Sequence, residues 1–112
     1  MESEIIENLV DFALENYGIF NFFPRDQVRA FFEIRKNTTA IFSKDGKIRC
    51  FLVWEYRGAN LAEVVAVAAT GSRLENILFF WDLWERSKEL LPDLKIYWRT
   101  ENGRLRELKC HG

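Results

Sequence analysis

Cysteine and histidine are scarce in this 112-residue chain: Cys50, Cys110 and His111 are the whole supply. Two distant cysteines without motif spacing exclude a disulfide framework, and with one histidine they cannot make a conventional zinc site. They point to ordinary thiols in a reduced, cytoplasmic protein. No apolar run approaches the ~18–20 residues that a membrane span needs. The N-terminus is acidic and its apolar residues are periodic, which is not the pattern of a signal peptide. There is no P-loop, dinucleotide fingerprint or nucleophile triad. A net charge of −1 argues against a general nucleic-acid binder. Without a repeat, low-complexity tract or linker, residues 1–112 read as a single domain.

What the chain does have is apolar bulk. Hydrophobic residues make up 48% and aromatics 15%, with ten Phe and four Trp. That is enough for a true core, with a surplus available to cover a partner surface. Charge is unevenly spread. Residues 1–34 balance to −5 and the remainder to +4, with Lys95, Arg99, Arg104, Arg106 and Lys109 concentrated near the end. An anionic ligand would therefore bind toward the C-terminal half.

Apolar periodicity predicts a helix over Ser3–Tyr17, capped by Ser3 and ended by Gly18, with Ile6, Leu9, Val10, Ala13 and Tyr17 on one face. A second helix covers 24–35, led by Pro24, with Val28, Phe31 and Phe32 inward. Strands follow over Thr38–Ser43, Lys47–Arg57 and Ala62–Thr70, the first two joined at the hairpin signal Asp45-Gly46. The middle strand is apolar on both faces and so is covered on both sides. The longest helix spans Ser72–Leu91. Its main face is expected to be Leu74, Ile77, Leu78, Trp81, Trp84 and Leu91, with Phe79, Leu83 and Leu90 as a second stripe for a partner or a second copy. Leu94–Arg99 is a further strand. Beyond it the tail is either a hairpin turned at Asn102-Gly103 or a short helix capped by Asn102.

The informative junction is Val64–Thr70, then Gly71-Ser72-Arg73, then the long helix. A helix N-terminus presents free N–H groups, and a glycine there admits close backbone approach. Gly71, Ser72 and Arg73 are accordingly candidate anion ligands.

This order of elements, with Gly71 at the strand-to-helix turn, resembles the core of the GNAT (Gcn5-related N-acetyltransferase) superfamily over residues 3–100. The resemblance implies an α+β fold: two N-terminal helices, an antiparallel three-strand meander, a long crossover helix and a further strand. It implies acetyl-CoA as cofactor, with its pantetheine arm along Val67–Ala69 and its pyrophosphate at Gly71, Ser72 and Arg73. Asn102 corresponds to the asparagine that often follows the next strand. The catalytic base would be Glu63 or Glu55, deprotonating an amine acceptor. Ala68 and Arg73 depart from the family's phosphate-loop pattern, and these departures support an alternative. In that reading the chain is a non-catalytic, phage- or prophage-type protein-binding module on a GNAT-like scaffold, with a homodimer as one form of assembly.

Overall fold

The first helix, α1, runs Ser3–Asn16 and buries Ile6, Leu9, Val10 and Ala13 at helical spacing, with Phe12 beside them. In this computed structural model, residues 2–70, 72–90 and 95–107 are described, without the side chains of Arg73, Ser87, Lys88, Leu90, Ile96, Trp98, Arg99 and Leu105. The expected Ser3 cap is not made. Glu2 takes the N-cap position without a side-chain bond, because the Ser3 hydroxyl instead accepts from Arg29 Nη2 at 3.2 Å. A 3₁₀ turn, Gly18–Phe22, links α1 to α2 (Arg25–Ile34), which Pro24 leads in. Arg25 holds Glu7 at 2.8 Å and Asp11 at 2.7 Å, and Arg29 also pairs with Glu7. The acidic N-terminal third is thus partly neutralised by α2 itself.

The sheet contains β1 (Thr39–Lys44), β2 (Lys47–Gly58), β3 (Leu61–Ala69), β4 (Lys95–Arg99) and β5 (Leu105–Glu107), in that spatial order. The first three form the expected antiparallel meander. Asp45 and Gly46 turn β1 into β2 with φ of 56° and 74°, the left-handed conformation of a primed hairpin turn. Helix α3 (Arg73–Leu90) crosses over, and β4 returns parallel to β3. The tail resolves as a hairpin: β5 pairs antiparallel with β4, and Gly103 takes φ 78° in the turn. The architecture is α+β. No described helix is long and apolar enough to cross a membrane.

One face of the sheet carries the main core. Phe51 is fully buried there and meets Phe12, Tyr17 and Phe32 edge-to-face, with ring centroids 5.9, 6.2 and 5.3 Å away. Buried Ala66 and Ala68 on β3 join this core, their short side chains letting α1 and α2 settle close to the strand. The opposite face is served by Cys50, Leu52 and Trp54 of β2. Burial pushes the Cys50 thiol up to about 11, so it stays protonated.

α3 presents to the sheet the side that the sequence assigned elsewhere. Phe79 stacks at 5.7 Å on Phe42 of β1, and Trp84 packs on Ala62. Phe79 and Leu83 are half-buried, whereas Leu74, Ile77 and Leu78 are 65, 52 and 58% exposed and Trp81 is exposed beside them. The expected partner stripe of Phe79 and Leu83 is therefore inward; of the expected inward face Trp84 does pack on the sheet, whereas Leu74, Ile77, Leu78 and Trp81 face out. Leu91 lies outside the described residues, as does the side chain of Leu90. Both stripes are apolar, so periodicity alone could not choose between them.

Truncating Phe51 removes the ring that three aromatic neighbours share. Phe51→Ala is expected to cost about 3–5 kcal/mol of stability, measured by urea unfolding; a loss below about 1 kcal/mol would contradict this account of the core.

Candidate functional site

β3 is paired along its whole length with β2 but only in part with β4. The β3–β4 ladder runs from Leu61↔Lys95 to Val64↔Trp98 and stops there. β3 continues to Ala69, so residues 65–69 have no described strand on that side. The end of this ladder coincides with an irregularity. Val53 is opposite Ala66 but Trp54 is opposite Val64, which leaves Val65 as an extra residue in β3. A bulge of this kind bends its strand and increases local twist. β4 itself ends at Arg99, one residue past the last pair, so the result is an opening beside β3, a wedge closed at the Val64–Trp98 pair and open toward the N-terminus of α3. Val67 and Ala69 are exposed within this stretch.

At the wide end, Thr70 donates its N–H to the Arg49 carbonyl at 2.6 Å, anchoring the end of β3 to β2. The Ser72 hydroxyl accepts from the Glu75 N–H at 3.1 Å and caps α3. Lys44 of β1 reaches the Glu75 carboxylate at 2.5 Å, so the edge of the sheet pins the first turn of the helix. The Lys44 hydrogen bond is the main cause holding the Glu75 carboxyl below its ordinary range; Arg49 adds to it. Arg49 is the residue that sequence reasoning missed. It is the extra residue of β2 where Phe42↔Cys50 gives way to Ser43↔Ile48. Its Nε is buried without a hydrogen-bond partner among the described residues. Only the register of the β1–β2 hairpin could have placed it beside α3.

At the narrow end, Glu55 and Glu63 are direct cross-strand partners on β2 and β3. Glu63 is 6% exposed and lies one residue before the last β3–β4 pair, in register with Tyr97. Two arginines hold the carboxylates. Arg57 donates through Nη1 to Glu55 at 2.8 Å and through Nε to Glu63 at 3.0 Å. Arg35, at the end of α2, donates to Glu55 at 2.8 Å while its guanidinium sits 4.1 Å from the centre of the Phe31 ring. The Glu63 and Glu55 carboxylates hold the Arg57 guanidinium above its ordinary value. Beside Phe31, a cavity of about 190 Å³ is lined by Phe20, Phe23, Gln27, Val28 and Phe31.

The sequence-predicted residues thus fall into two groups joined by β3. Glu55 and Glu63 stand at one end, and Val67, Ala69 and Ser72 at the other. About 20 Å of extended chain separates Glu63 from Ala69. Asn102 is exposed in the β4–β5 turn, where Thr100 O accepts from Gly103 N–H at 2.9 Å. Gly71 and the side chain of Arg73 lie outside the described residues.

No protein-family model matches the chain, and no curated protein matches it. Among solved structures it is similar to N-acetylglutamate synthase from Neisseria gonorrhoeae, complexed with coenzyme A and N-acetyl-glutamate. The TM-score is 0.54 at 11% identity, over 66% of this chain and 18% of that one. The chain therefore corresponds to less than a fifth of that protein's length. The likeness is one of fold: the architecture is GNAT-like.

Because Glu75 is depressed in the folded state, its contribution to stability is present above the ordinary carboxylate range and fades as pH falls through its lowered value. Lys44→Ala is expected to move the Glu75 titration midpoint up toward that range and to remove this share of acid sensitivity. Carboxyl-carbon NMR titration reads the shift; an unmoved midpoint would refute the pinning role of Lys44.

Proposed function

We propose that the chain is a single-domain, GNAT-like N-acyltransferase that uses acetyl-CoA. The observation that carries this reading is the wedge: the β3–β4 ladder ends at Val64, leaving the backbone groups of residues 65–69 that point away from β2 without a strand partner among the described residues. Unpaired strand backbone beside small, exposed Ala69 suits an extended amide-bearing arm, and the capped N-terminus of α3 suits phosphate. Val67, Ala69, Gly71, Ser72, Arg73 and Asn102 are the proposed holding residues, with Arg49 added at the wide end. Bound there, acetyl-CoA supplies an acyl group activated as a thioester.

Glu63 is the favoured base because it combines burial with a position at the narrow end of the wedge. Its carboxylate would accept a proton from the acceptor's ammonium nitrogen. Arg57 is 47% exposed and sits at a bulge near the end of β2, so it can swing into solvent as a cationic acceptor takes its place. Glu55, next to Glu63, is the second candidate, acting directly or through a water. The proposed acceptor is an amine whose identity is open.

A second reading rests on a separate observation. The exposed stripe Leu74, Ile77, Leu78 and Trp81 is a surface that a protein partner or second copy would cover, and both carboxylates are already engaged by arginine. This favours a non-catalytic binding module on the same scaffold.

Thermal unfolding separates the two. Acetyl-CoA at about 100-fold over its Kd stabilises a specific binder by about 2.7 kcal/mol, which raises the midpoint by several degrees. Glu63→Gln is expected to keep that stabilisation while lowering acyl transfer by about 10²–10⁴-fold. No stabilisation by millimolar acetyl-CoA would overturn the acyltransferase reading. A dimer disrupted by Leu78→Asp would support the second.

A further inference from the structure

The free edge of β1 belongs to neither end of the wedge. Among the described residues β1 is the outer strand of the sheet and pairs only with β2. From Thr39 to Phe42 its register with β2 is unbroken, so this part is a straight strand with a row of outward N–H and C=O groups. Sheet edges are ordinarily blunted by charge, proline or bulges. Thr39–Ser43 contains no charge and no proline, and the one charged residue of the strand, Lys44, is tied to Glu75.

A groove of about 610 Å³ lies on the helical side of this edge, between β1 and α1, and Ile41 packs from it against the main core. Its floor is Thr39, Ile41 and Ser43, side chains that alternate along one face of the strand. Ile5 and Asn8 of α1 form the wall, and Lys36 stands at the Thr39 end. Lys36 makes no ion pair among the described residues, and the nearby Glu33 is taken by Arg29 at 3.1 Å. The groove therefore offers an aliphatic strip, a row of strand hydrogen-bonding groups and one uncompensated cation.

We propose that β1 accepts an extended peptide segment of a partner protein as an added antiparallel strand. The segment would carry aliphatic side chains at alternate positions over Ile5 and Ile41 and an acidic residue against Lys36. Main-chain bonds to β1 would supply affinity, and the alternating pockets and the Lys36 charge would set register. The proposal is independent of acyl transfer and of the exposed stripe on α3.

The test uses the blocked hexapeptide acetyl-Thr-Val-Thr-Val-Thr-Glu-amide. An antiparallel approach sets its two valines and its glutamate on the groove side. Titration followed by amide NMR is expected to give binding below about 1 mM, with hydrogen-exchange protection rising at alternate amides of residues 39–43. Lys36 is exposed, so Lys36→Glu leaves the core intact; it is expected to weaken binding by about tenfold or more. A peptide ending in lysine should restore binding to that variant. No binding at 1 mM, or binding indifferent to Lys36→Glu, would overturn the proposal. So would protection of β1 in the free protein with a dimeric sedimentation coefficient, which would assign the edge to a second copy.

Discussion

β3 is nine residues long and β4 five, so one side of β3 is left open past Val64 among the described residues, and the candidate site is arranged around that opening. The extra residue at Val65 bends the strand at the point where its ladder with β4 ends. Before the bulge, Ala62 and Val64 face α3; beyond it, Ala66 and Ala68 face α1 and α2. One inserted residue thus changes which layer each side chain of β3 serves, as a register slip does in any sheet. It also separates the part of β3 that is locked on both sides from the part that is open on one. The buried Glu63 stands on the locked part, and the exposed Val67 and Ala69 on the open part.

The two faces of the sheet are held by different kinds of contact. On the α1–α2 face, aromatic rings meet edge-to-face around Phe51, and the arginines of α2 clamp the acids of α1. On the other face α3 is seated by Phe79 on Phe42, Trp84 on Ala62 and the Lys44–Glu75 pair, and it leaves an apolar stripe exposed. The same exposed stripe keeps a partner-binding role in view.

Local chemistry made most of the architecture legible. Asp45-Gly46 marked a turn that the backbone adopts, the hairpin at Asn102-Gly103 was one of two readings of the tail, and apolar spacing placed α1, α2 and the meander. What was not legible depended on register and on long-range contact. The face of α3 was misassigned because Leu74, Ile77 and Leu78 are as apolar as Phe79 and Leu83. Arg49 lay hidden in a strand until the bulge turned it toward α3. Glu55 and Glu63 stood out as lone carboxylates, but that they pair across strands and share Arg57 follows only from the β2–β3 alignment. Sequence spacing carries no information about such pairings.

The central proposal is that β3, open on one side beyond Val64 among the described residues, would hold a cofactor arm along that opening. Residue-resolved amide hydrogen exchange, with and without acetyl-CoA, tests it directly. In the free protein, amides of residues 61–64 should be protected, while those of 65–69 directed away from β2 exchange rapidly. Acetyl-CoA should slow that second group selectively. Equal protection across 61–69 in the free protein, or no change on adding acetyl-CoA, would contradict the account.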